Sequence, residues 1–85
     1  MFKLCTGQNC GFHMTFENGW TVSVQWSPIN YCHNYGIDKP VDESPTAETA
    51  CWLNDGAISE IVVHRTADDV AAYIREVSLR KPAEV

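Results

Sequence analysis

The densest group of chemically capable side chains lies between residues 30 and 36, NYCHNYG. Tyr31 and Tyr35 offer flat faces, Asn30 and Asn34 offer paired amide donors and acceptors, and His33 can donate or accept. Such a set suits a purine or a ribose, because stacking on an aromatic ring contributes about 1–3 kcal/mol per base and amides read base edges. The same two tyrosines would equally well anchor the segment to a core. A second group stands in FENGWTVSVQW at 16–26, where Thr21, Ser23 and Gln25 alternate with an apolar row. A polar row of that kind either meets water, as on any half-covered antiparallel sheet, or floors a binding site. Arg65, next to His64, precedes a helix start, where backbone N–H groups favour an anion, and is the phosphate candidate.

Catalytic chemistry finds no such support. No nucleophile and base lie at a recognisable spacing, and Cys32 and His33 are chain neighbours whose side chains diverge. The acids at 42, 43, 48, 60, 68 and 69 share no face, so a non-enzymatic protein without catalytic residues is expected. Zinc needs four converging ligands, usually in knuckles two to four residues apart, and among Cys5, Cys10, Cys32 and Cys51 only the first two approach that spacing. His13 is the one residue that could join them. The expectation is free thiols packed as small apolar groups, with no metal and no cofactor.

The elements that position these residues follow from periodicity. FKLC at 2–5 alternates and suits a short strand, and TGQNCG at 6–11 is a turn. Phe12, Met14 and Phe16 then share one face and His13, Thr15 and Glu17 the other, before Asn18-Gly19, the pair that favours a two-residue type I′ turn. Trp20, Val22, Val24 and Trp26 return on the apolar face, which makes a hairpin over about 12–26. Residues 27–46, with Pro28, Pro40 and Pro45, form a long loop without periodicity. A second hairpin spans about 47–63 around Asn54-Asp55-Gly56, with Trp52 on the face of Glu48 and Ala50; an outward Trp52 marks a contact surface. Thr66-Ala67-Asp68-Asp69 reads as a capping box for a helix over about 67–80, with Val70, Tyr73, Ile74 and Val77 as its stripe and Pro82 as its stop. The predicted fold is α+β: one domain, with an antiparallel sheet of four or five strands packed on one face by a C-terminal helix.

Composition narrows the partners. The chain has 85 residues and a net charge of −5 from eleven acids against six scattered bases, which disfavours duplex nucleic acid. No apolar run approaches the roughly 20 residues that span a bilayer, and no signal-peptide pattern opens the chain, so a cytoplasmic protein is expected. A ligand pocket of roughly 300–1,000 Å³ is hard to enclose in one such chain, which favours a homo-oligomer with sites between subunits.

Phe16-Glu17-Asn18-Gly19-Trp20-Thr21-Val22-Ser23-Val24-Gln25, the following Asn30-Tyr31-Cys32, Thr46-Ala47-Glu48, and a Trp with a later Asp-Gly resemble a group of short phage-encoded accessory proteins. The similarity covers roughly residues 12–77, and its pattern is F-[DE]-N-G-W-T-V-S-V-Q; Cys5 and Cys10 are foreign to it. The resemblance implies counter-defence in the host cytoplasm, by sequestering a small nucleotide signal of the cyclic nucleotide or cyclic ADP-ribose type. The alternative is an inhibitor that meets a host defence protein through acidic residues such as Asp38, Asp42, Glu43 and Glu48. In the first case the ligand set is Thr21, Ser23, Gln25, Asn30, Tyr31, His33, Asn34, Tyr35 and Arg65.

Overall fold

A computed structural model describes residues 1–5, 10–37 and 43–81. Five strands, β1 (Phe2–Cys5), β2 (Gly11–Thr15), β3 (Trp20–Gln25), β4 (Ala47–Leu53) and β5 (Glu60–Arg65), precede one helix, α1 (Ala67–Ser78). The sheet is an antiparallel meander in the order β1-β2-β3-β4-β5, so the fold is α+β with the helix on one face. Among the described residues no helix is long and apolar enough to cross a membrane.

Register explains which face the helix takes. Phe12 pairs with Val24, Met14 with Val22, and Val22 with Cys51, which puts the apolar rows of β2, β3 and β4 on one side. Val22, Cys51 and Val77 are completely buried there, with Val24, Ala47 and Tyr73 beside them. Trp20 and Trp26 pack against this cluster, half-buried, as do Val70 and Ile74. The helix begins where its capping chemistry places it: the Asp69 amide donates to Thr66 Oγ1 at 3.2 Å and the Thr66 amide donates back to Asp69 at 3.1 Å. Its far side is tied to β5 by Arg80, which meets Glu60 at 2.8 Å and Glu76 at 3.0 Å and lies 4.6 Å over the Trp20 ring.

The first hairpin differs from the type I′ expectation. Positive φ occurs at Gly19 alone, at +90°, and not at Asn18. The Gly19 amide donates to the Phe16 carbonyl at 3.0 Å and the Phe16 amide to the Trp20 carbonyl at 2.9 Å. The loop is therefore Glu17-Asn18-Gly19, a type I turn closed by a glycine bulge. The physical reason lies at the far end of the chain: the Asn18 side-chain amide donates to the carbonyls of Val77, Ser78 and Arg80 at 3.0, 3.3 and 3.0 Å. The turn presents Asn18 to the C-terminus of α1, whose last carbonyls have no partner within the helix. In the second hairpin Asn54 takes the left-handed conformation, φ 52°, and its amide donates to the Gly19 carbonyl, so the two turns are bonded tip to tip.

Candidate functional site

The sheet face opposite α1 carries His13, Ser23, Ala50 and Ile61 in register across β2 to β5, flanked by the Gln25–Glu48 and Thr21–Trp52 pairs. Although among the described residues no helix or strand covers this face, Thr21 and Ser23 are each only 7% exposed. The cause is an aromatic bridge. The His13 and Trp52 rings, from β2 and β4, meet edge to face at 5.1 Å across the central strand and close over Thr21 and Ser23. The Thr21 hydroxyl also pairs with that of Thr15 at 2.9 Å, and the Gln25 amide donates to Ser23 Oγ at 3.0 Å and to Cys5 Sγ at 3.5 Å. Burial, and after it the positive charge of Lys3, hold the His13 ring below its ordinary pKa, so it is neutral at pH 7.

Beside this bridge lies a cleft of about 280 Å³ with His13, Ser23, Gln25, Asn30, Glu48, Ala50, Trp52, Ile58 and Ile61 on its walls. Chemically it offers two aromatic edges, a hydroxyl, a carboxamide, a carboxylate and an apolar lip. Neutral flat heterocycles fit that mixture better than phosphates do, because among the described residues no Lys or Arg lines the cleft and Glu48 stands inside it.

Of the nine residues expected at a site, Ser23, Gln25 and Asn30 meet in this cleft. Thr21 lies under the bridge. Asn30 is spent on structure: its Oδ1 accepts from the Ser27 amide and hydroxyl, and its Nδ2 donates to Glu48 Oε1 at 3.2 Å. Asn34, 2% exposed, likewise donates to the carbonyls of Trp26 and Glu43 at 2.7 and 3.1 Å. These amides build the loop rather than face outward. His33 holds Thr46 Oγ1 through its backbone amide, at 2.8 Å, and is exposed. Tyr31 and Tyr35 remain more than half exposed and stack on each other at 4.7 Å, which leaves no slot for a base between them, only their outer faces. The Tyr31 amide donates to Glu48 Oε2 at 3.2 Å and its carbonyl accepts from His64 at 3.1 Å, so the pair stands beside the cleft without lining it. Arg65 is separated from the rest. It lies on the helix-bearing face, its guanidinium 4.5 Å over the Tyr73 ring, and cannot serve a ligand in this cleft.

His13, Glu48, Trp52, Ile58 and Ile61 were outside the expected set. Strand parity put His13 opposite the apolar row, but it left open which face of its strand Trp52 takes, and the Thr21–Trp52 pairing is what brings the two rings to one side. Asp38 and Asp42, candidates for an acidic face, lie outside the described residues; Glu43 is exposed and Glu48 is engaged by the loop. Cys32 and Cys51 are buried thiols, and Cys5 and Cys10 are half-buried. No family model, curated protein or solved structure matches this chain.

Proposed function

We propose that the chain is a non-enzymatic binding protein that sequesters a small nucleotide-like ligand through the uncovered sheet face. The observation that carries this reading is the cleft itself, where the His13–Trp52 pair meets Ser23, Gln25 and Glu48. A base stacked against Trp52 would have the Gln25 carbonyl and the Glu48 carboxylate for its amino edge, with the apolar lip of Ile58 and Ile61 on its other side. At about 280 Å³ the cleft admits one base, not a whole cyclic dinucleotide. The remainder of such a ligand would extend over the Tyr31–Tyr35 faces or into a second copy, which is why a homo-oligomer belongs to the same proposal. In a phage-type counter-defence role the ligand is a cyclic nucleotide or a cyclic ADP-ribose isomer.

Calorimetry against a panel of these compounds tests the reading. Trp52→Ala is expected to weaken binding about 5- to 150-fold, the equivalent of one lost stacking ring. Arg65→Ala is expected to leave the affinity unchanged, since that side chain is on the opposite face. Heat from no member of the panel would reject the proposal.

A second reading rests on a different observation. Ile61 and Val63 are exposed on the outer strand β5 and Ile58 just before it, and the His64 amide between them and Arg65 donates to the Tyr31 carbonyl. A contiguous apolar strip of this kind suits a protein partner such as a host defence protein, in place of the acidic contact the composition suggests. Val63→Lys, at a position outside the cleft lining, would then abolish partner capture while leaving nucleotide heats intact.

A further inference from the structure

The helix-bearing face has a pocket of its own, of about 380 Å³, between the first turns of α1, the ends of β3 and β4, and residues 43–46. Its walls are mostly hydrocarbon, from Val24, Trp26, Ala47, Val70, Ala71 and Ile74. Arg65 stands on its margin. Among the described residues the guanidinium makes no hydrogen bond or ion pair; its contact is the Tyr73 ring, and its Nε is shut off from solvent without a partner. A buried guanidinium N–H without an acceptor is costly, and elsewhere in this chain the comparable Arg80 is fully engaged by two carboxylates.

We infer that this pocket binds a small apolar carboxylate, with its hydrocarbon part among Val24, Trp26, Val70 and Ile74 and its carboxylate on Arg65. The site is independent of the cleft on the other face. Charge selects the ligand class. Arg65 is the one cation among the described lining residues, Glu43 lines the same pocket, Asp69 is close enough to feel the Arg65 charge, and the chain carries a net charge of −5, so a single negative charge is matched and a di- or trianionic phosphate is opposed. The walls in turn require an apolar body, which phosphate or a sugar acid lacks.

Octanoate and 1-octanol, titrated into the full chain and followed by amide and indole NMR shifts, separate the contributions of charge and hydrocarbon. Octanoate is expected to saturate with shifts at Trp26, Ala71 and Ile74, and to bind about tenfold more tightly than octanol. Arg65→Gln should remove that advantage and leave octanol within about twofold of its wild-type affinity. Ala71→Phe, which fills the pocket from an exposed helix position, should abolish both while the circular dichroism melt stays put. Equal affinity for octanoate and octanol, shifts confined to His13 and Trp52 on the other face, or no saturable binding of either compound would overturn the inference.

Discussion

The Asn18 side-chain nitrogen lies 3.0 Å from the Val77 carbonyl and 3.0 Å from that of Arg80, across sequence separations of 59 and 62 residues. Its Oδ1 meanwhile accepts from the Trp20 amide at 3.0 Å. One side chain thus closes the hairpin and caps the helix. Asn18→Ala is expected to cost about 1–3 kcal/mol, read as a lower urea midpoint, because it removes the donor that the Ser78 and Arg80 carbonyls share, while the Val77 carbonyl keeps the Arg80 amide at 3.2 Å. Asn18→Asp keeps the acceptor and loses the donors, and it adds a negative charge at the negative end of the helix dipole, so it should be at least as damaging. Wild-type stability in the aspartate variant would exclude the capping role. Gly19→Val should cost about 1–2 kcal/mol or more, since φ there is +90° and a Cβ would come 2.6 Å from Asn54 Oδ1. The Asn-Gly pair was readable as a turn, but the turn type was not, because what selects it is a helix end some sixty positions away. The same distance problem hid the cleft residues: the face of Trp52 was open from alternation alone, and only the registers of β2, β3 and β4 bring its ring to that of His13.

Strand alternation, the capping box and the helical stripe are local properties, and those parts of the fold were legible. Less so was β5, expected to pair back from Ala57; residues 54–59 instead make the connection and the strand runs on through His64 and Arg65. His64 sits there at φ 54°, next to the irregular pairing between Ala47 and Thr49, and its amide reaches the Tyr31 carbonyl. No periodicity encodes such a kink. His64→Gly should be tolerated within about 0.5 kcal/mol, relief of the left-handed backbone offsetting glycine's entropy, whereas the β-branched His64→Val should cost at least about 1 kcal/mol. Equal thermal midpoints for the two variants would contradict the left-handed conformation. Glu60, on the same strand, joins β5 to α1 through Arg80 and accepts from Tyr73 at 3.1 Å. Arg80 first, then Cys51 and Tyr73, hold its carboxyl below the ordinary 4.5 against the opposing effect of burial. The unfolded chain therefore takes up that proton at higher pH than the folded one. The contribution is complete above pH 4.5 and is lost as pH falls through the lower folded value. Urea midpoints measured between about pH 3 and 5 should fall less steeply for Glu60→Gln than for wild type. Parallel curves would show that the pair does not couple β5 to the helix.

At the scale of the whole molecule the chain is long and narrow, 45 × 25 × 19 Å, because the helix reaches β3, β4 and β5 but not the other end of the sheet. Phe2 and Leu4 point to the helix side of β1 and are 77% and 74% exposed. Alternation in FKLC was enough to place the strand, yet it could not show that the helix is too short to cover it, since coverage depends on where α1 crosses the sheet. Lys3 on the opposite side of β1 discourages simple addition of another strand at this edge. The remaining way to remove these side chains from water is face to face, with Phe2 and Leu4 of two copies packed together beyond the end of each helix. Burying four such side chains is worth roughly 6–12 kcal/mol in all, against an association cost of about 4–15 kcal/mol, so micromolar affinity is the upper bound and weak self-association, seen toward high protein concentration, is the expected outcome. Sedimentation velocity across a concentration series should show wild type shifting to a larger species while Phe2→Ser with Leu4→Ser stays monomeric. The circular dichroism of that double variant should match wild type, because neither residue belongs to the buried cluster under the helix. If wild type and variant sediment identically at every concentration, β1 is a finished edge and the homo-oligomer proposed for ligand capture loses its contact surface.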